Sequence, residues 1–200
     1  IFDDRYGRGG TFDTTNDTDT STATAGDWGG IVLNAVSNAS IDNSFLAFGG
    51  GLVPIEGGFD NFNVIEVHQA DLRLTNSRFD SNAAGRSVSN RTGRGRNDAT
   101  TVFIRGAQPI IVGNVFVANS GSVASINANS MRSDVIRDLG RSTGFADAFT
   151  QFPSNRGPLV RLNQFEDNAI NGMEVRAEEL TIESVWDDTD IVHVLRGEIT

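Results

Sequence analysis

The sequence predicts an all-β solenoid, a stack of coils built from short strands and tight turns, and three observations predict it. A phrase of the form [Asn/Ser]-x-Phe-x-x-Asn recurs along the chain. Within each copy the apolar residues step by two, as in Ile65/Val67 and Leu72/Leu74, which is the period of a strand with one buried face. Gly, Asn and Ser close each run after three to five residues, and no helical period intervenes.

The copies are Ser77–Asn82, Asn114–Asn119 and Asn163–Asn168. A shift of 37 lays Val67 on Ile104, Ala70 on Ala107 and Leu74 on Ile111. A shift of 49 lays Pro109 on Pro158, Ile111 on Val160, Ala124 on Met173 and Ile126 on Val175. A looser copy spans Ile41–Phe48, with Phe48 in the closing place. Counted from Phe45 through Phe79 and Phe116 to Phe165, the spacing is 34, 37 and 49 residues. A coil of this sort needs about twenty to thirty residues, so the excess must leave as insertions near 49–63, 84–100 and 130–157. The repeated Asn is expected to take the left-handed backbone region at a fixed turn and to hydrogen-bond its copies above and below.

In chain order, the first candidate site lies in the acidic, Thr-rich segment 1–25. Asp13, Asn16, Asp17 and Asp19 crowd hard oxygen ligands onto one loop, the donor type a calcium ion requires. Asp17-x-Asp19-x-Ser21 imitates the start of an EF-hand, but the twelfth place is Trp28, so this is not one. The plainer reading is a solvated acidic loop. Next, Arg86, Arg91, Arg94 and Arg96 sit on a Gly/Ser background. Their guanidinium groups suit sulfated or carboxylated glycan, or a neighbouring copy's acidic loops; the plainer reading is a solvated insertion. His68 and His193 fall in strands, and alternation from Val67 turns His68 outward, over Arg105 of the next copy. Last, Asp187, Asp188 and Asp190 form the densest carboxylate set, as a glycosidase would need, against the plainer reading of a turn beside Trp186.

Composition narrows the partners. Net charge is −10 with pI near 4.5, which argues against nucleic acid, whose phosphates need a basic face. All sixteen basic residues are Arg, a bias that GC-rich coding explains as well as a saline setting does. Cysteine is absent, so neither disulfides nor thiolate metal sites contribute. No apolar run approaches the ~18 residues of a membrane-spanning helix, so no membrane insertion is expected. The start at Ile1 and the stop at Thr200, inside an apolar pattern, read as cuts in a longer chain.

Three further segments carry a family resemblance: Gly26-Asp27-Trp28-Gly29-Gly30-Ile31, Ile170–Arg176, and Glu183–Val194. With them the chain resembles right-handed parallel β-helix proteins over nearly its whole length. More narrowly it resembles β-helix regions of very large secreted or surface-attached multidomain bacterial proteins. The resemblance implies one β-helix domain over 1–200 at the cell surface or outside the cell, adjoining further domains of its parent. The enzymes of this fold cleave acidic polysaccharides, yet their Gly-His-Gly and Arg-Ile-Lys motifs are absent here, and there is no Lys at all. The expected function is therefore non-enzymatic: a spacer, adhesin or matrix element, with calcium as its one candidate cofactor. The alternatives are a polysaccharide lyase or glycoside hydrolase, or a glycan-binding module.

Overall fold

The computed structural model describes residues 23–86, 91–140, 148, 152, 154–187 and 189–200. The fold is all-β, and its helical content among those residues is two three-residue 3-10 turns, Gly93–Gly95 and Ala128–Ser130. Sixteen strands are described: β1 (Ile31–Leu33), β2 (Asn38–Asp42), β3 (Phe45–Ala47), β4 (Leu52–Ile55), β5 (Gly58–Asn61), β6 (Ile65–His68), β7 (Asp71–Thr75), β8 (Arg78–Asp80), β9 (Thr100–Arg105), β10 (Ile110–Val112), β11 (Val115–Val117), β12 (Ser122–Asn127), β13 (Leu159–Arg161), β14 (Gln164–Glu166), β15 (Ile170–Arg176) and β16 (His193–Leu195). Three parallel sheets take nearly all of them, in the orders β1-β6-β9-β12-β15-β16, β2-β7-β10-β13 and β3-β8-β11-β14. The chain visits first, second and third sheet in turn, four times over, each pass lying beside the one before.

Registers follow the repeat. Val67 pairs with Ile104, Leu74 with Ile111, Ile111 with Val160 and Ala124 with Met173, as the shifts of 37 and 49 require. The residues that alternate inward make one core: Ile65, Val67, Leu74, Phe79, Ile104, Phe116, Ile126, Met173 and Val175 are all fully buried. Phe79 and Phe116 stack at 4.7 Å with 9° between their planes, and Phe165 follows at 6.0 Å. Each buried Phe removes enough apolar surface from water to contribute about 1.5–3 kcal/mol, and ring stacking adds about 0.5–1.5 kcal/mol.

The looser first copy has a different phase from the one the repeated Phe suggests. Leu46, not Phe45, pairs with Phe79, and Phe45 is exposed. The first spacing is therefore 33 residues, and the closing place belongs to Gly49, whose N–H meets the next copy's Asn82. Packing explains both. The Trp28 indole donates to the Ala47 carbonyl at 2.7 Å, and a Cβ on Gly49 would lie 2.7 Å from that ring, leaving no room for Asn. Gly30 is equally forced, because its Cβ would overlap the Asn63 carbonyl.

Turns differ from the expectation in one respect. The repeated Asn is not itself left-handed; the residue before it is. Asn43, Asn76, Gly113 and Leu162 precede Ser44, Ser77, Asn114 and Asn163, while Phe48, Ser81, Ala118 and Asp167 precede Gly49, Asn82, Asn119 and Asn168, and all eight have φ between 49° and 71°. Left-handed backbone is costly for residues such as Phe48 and Leu162. Six of the eight are tied at their N–H to a carbonyl of the next pass, for example Ser81 to Val117 at 3.2 Å, and Leu162 is tied to the Asp190 carboxylate.

The long insertions leave at corners between sheets. Residues 49–63 carry the antiparallel hairpin of β4 and β5. Residues 84–99 link β8 to β9, and their Arg91, Arg96 and Asn97 lie over the outer face of the first sheet, through contacts to Glu66 and Arg105. Residues 128–158 link β12 to β13; their Ile136 and Phe152 pack on Ile110, Val112 and Leu159 outside the second sheet. At the C-terminal end Trp186, Ile191 and Ile199 pack against the main core.

Candidate functional site

The repeated side-chain amides form two hydrogen-bonded columns at the edges of the third sheet. In one, Asn82 donates its N–H (3.1 Å) and side-chain amide (2.7 Å) to Asn119 Oδ1. Asn119 repeats both bonds to Asn168 Oδ1, at 3.2 and 2.7 Å. The Asn119 amide also reaches back to the Phe79 carbonyl, and that of Asn168 to the Phe116 carbonyl. In the other column the N–H groups of Ser44, Ser77 and Asn114 meet the side-chain oxygens of Ser77, Asn114 and Asn163. The column members at the centre are buried, so each polar atom must find its partner inside the protein.

The outer face of the first sheet holds a second polar group. Register places Glu66, Phe103, Ser125 and Glu174 in one row, and all four are buried. Arg91 comes from the insertion to grip both oxygens of Glu66, and Asn97 donates to the same carboxylate at 2.9 Å. His68 lies 3.0 Å from its other oxygen. Burial alone would push the Glu66 carboxyl up, but the bonds from Arg91, His68 and Asn63 and the Arg91 charge more than offset it and hold it at about 2. Arg91 also stacks 4.3 Å over the Phe62 ring. Farther along, Arg176 covers Phe103 at 4.3 Å and donates to Ser125 Oγ and to the Ile104 carbonyl. Burial, then repulsion from Arg105, brings the Arg176 guanidinium down to about 10. Arg196 closes the row on Glu174.

The second sheet bears an open groove of about 710 Å³ on its outer side. Asn38 and Asp71 face each other across β2 and β7 on its floor. Gln69, Gln108, Asn127 and the exposed Arg137 add polar groups to it. One wall is insertion 128–140, fastened where Arg73 meets Asp138 at 3.3 Å and Asp42 at 3.8 Å.

The sequence-predicted residues do not converge on one another. Asp13, Asn16, Asp17 and Asp19 lie outside the described residues, as does Asp188. Arg91 is turned inward on Glu66, whereas Arg86 and Arg96 are exposed and Arg94 sits in the 3-10 turn Gly93–Gly95. The Arg96 carbonyl accepts from Arg105 at 2.6 Å. The Asp187 carbonyl accepts from Arg161, and the Asp190 carboxylate takes the Leu162 N–H at 2.8 Å. His193 accepts or donates to Thr189 Oγ1 at 2.8 Å and meets Trp186 edge-on; burial lowers its pKa. Among the described residues no group of three His, Cys, Asp or Glu could hold a metal ion, and no helix is long and apolar enough to cross a membrane.

Sequence reasoning missed Glu66 and Glu174. Their only signal is a carboxylate between two core residues of a strand, and the repeat aligns Glu66 with Phe103 and Ser125 with Glu174, without hinting that insertion 84–99 covers that face. The chain matches no family model, no curated protein and no solved structure.

Proposed function

We propose that the chain is a run of right-handed parallel β-helix coils that serves as a non-enzymatic structural segment of a large extracellular or surface protein, with calcium a stabilising ion bound near Asp13–Asp19. The observation that carries this reading is the double column of Asn82, Asn119 and Asn168 beside Ser77, Asn114 and Asn163, whose every side-chain oxygen accepts from the neighbouring pass. Side chains bonded in this way stiffen a stack and are poorly placed to meet substrate. Arg91 and Asp190, singled out by sequence, also bond within the chain.

The test has three arms. The full chain is incubated with pectin, alginate and sulfated glycan, and release of unsaturated or reducing ends is measured; none is expected. Cleavage lost on changing Asp190 to Asn would replace the structural role by an enzymatic one. A melt with and without excess chelator reads calcium, since a ligand of the native state raises Tm by mass action; an unchanged Tm would remove it.

A second reading, glycan binding without cleavage, is favoured by one observation: the groove on the second sheet places Asn38, Asp71, Gln69, Gln108 and Arg137 along one open path. Retention on immobilised acidic glycan that drops on Arg137→Ala would support it, and unchanged retention would dismiss it.

A further inference from the structure

The third sheet states a rule three times and leaves its fourth instance unfilled. Entering the strand, the N–H groups of Ser44, Ser77 and Asn114 donate to side-chain oxygens of the next pass at 3.1, 2.9 and 2.9 Å. Leaving it, those of Phe48, Ser81 and Ala118 donate to the carbonyls of Asp80, Val117 and Glu166 at 3.3, 3.2 and 3.0 Å. Between them Leu46, Phe79 and Phe116 lie in register with the following strand. One step further the donors are Asn163, Phe165 and Asp167. Gln164 bonds back to β11 through its N–H, so alternation in a parallel pair points the Phe165 N–H and carbonyl away from β11. Among the described residues none of these three N–H groups has an acceptor.

The other two sheets continue beyond that pass. β16 covers β15, and Thr189 pairs with Val160. The Asp190 carboxylate takes the Leu162 N–H, where earlier passes offer Asn43, Asn76 and Gly113 the carbonyls of Thr75, Val112 and Arg161. Asn171 Oδ1 receives the N–H and side-chain amide of Asn168, standing where the next column Asn would be. From Thr189 the chain then reaches β16 through Asp190, Ile191 and Val192 alone, laying no strand on β14. Leu162, just before β14, and Val192, just before β16, have 54% and 67% of their surface exposed.

We propose that this vacancy beside β14 docks one extended strand of a partner, of the sequence kind already stacked there. Its first residue is Asn or Ser, whose side-chain oxygen accepts from Asn163. Its third is Phe or Leu, continuing the column over Phe165, and its backbone carbonyls take the N–H groups of Phe165 and Asp167. It needs no closing Asn, because Asn171 already holds that place. A basic fourth residue suits the exposed Glu166 beside it. A second copy presenting β1, β2 and β3, which end the three sheets in one pass among the described residues, does not fit, since β16 stands beyond β14 as a step. Strand addition of this type draws affinity from main-chain bonds and specificity from alternate side chains. The inference goes beyond the role proposed above and rests on strand register alone.

The test adds a synthetic peptide with the sequence of residues 113–118 to the full chain and follows amide hydrogen exchange residue by residue. Exchange at Asn163, Phe165 and Asp167 is expected to slow by about tenfold or more at saturating peptide, reflecting protection of the formerly open edge. A peptide with Asn→Ala and Phe→Ser at its first and third strand places should give no slowing. Equal protection by both peptides, protection of β3 instead of β14, or no change would each overturn the assignment.

Discussion

Replacing Asn119 by Ala removes the central member of the longer column, and the loss can be worked bond by bond. Asn119 is 1% exposed; its Oδ1 accepts twice from Asn82, and its amide donates to the Phe79 carbonyl and to Asn168 Oδ1. In the Ala variant the Asn82 N–H is left buried without an acceptor, at about 1–3 kcal/mol, and further bonds are lost at about 0.5–1.5 kcal/mol each. A total of about 4 kcal/mol follows, and for a chain of this size ~2–4 °C per kcal/mol puts the fall in Tm at roughly 8–16 °C. Asn119→Asp separates hydrogen bonding from shape. It keeps the acceptor for Asn82 but turns a second oxygen on Phe79 and Asn168, so it should be at least as damaging at pH 7. It should recover partly in acid, where the protonated carboxyl can donate again. Thermal melts of the three proteins between pH 4 and pH 8 decide the matter. An Ala variant within about 2 °C of the parent, or an Asp variant indifferent to pH, would refute the account, since both magnitudes derive from these bonds.

The clamp gives a second expectation: Arg91→Met strands the Glu66 carboxylate and should cost about 3–5 kcal/mol in denaturant titration, while adding Glu66→Gln restores most of it. In the parent, Glu66 is held at about 2 against an ordinary 4.5. Its contribution, about 3 kcal/mol, is therefore complete above pH 4.5 and lost as pH falls from there toward 2, a slope the Gln variant should lack. Phe116→Ala, at a site with no exposed surface, should cost about 3–5 kcal/mol by opening a cavity between Phe79 and Phe165. For His193, burial disfavours the charged form, so the unfolded chain takes up its proton first as pH drops. Stability is then full above pH 6.5 and declines below it, and Trp186 fluorescence should report the C-terminal end loosening; His193→Phe should flatten that response.

What was legible in the sequence is what the chain repeats. Val67 beside Ile104 and Ile111 beside Val160 follow from spacing, because a residue buried in one pass must be apolar in the next. Phase was misread only where a different contact intervenes: Phe45 imitates the column, but the Trp28 indole sets Leu46 inward and empties position 49 of side chain. The left-handed residue was displaced by one, since the Asn side chain braces a bend made by its predecessor and does not make the bend itself. Insertion contacts left no period to read. Arg91 and Glu66 are 25 residues apart, and nothing in either neighbourhood announces that one covers the other. Asp190 reads as an ordinary turn carboxylate because its task, imitating a backbone carbonyl, exists only where a pass is missing.

Equivalent positions meet across 33, 37 and 49 residues with the same bond from N–H to Asn oxygen, so the distance along the chain between neighbours is of no account to the core. Length is absorbed entirely at the corners. A segment spliced at Gly57 or in the 130s would lengthen a side branch and leave the trunk in phase, whereas a single residue added to β7 or β11 would turn every later side chain of that strand inside out. Such a molecule can diversify its outline freely while its interior stays under strict count.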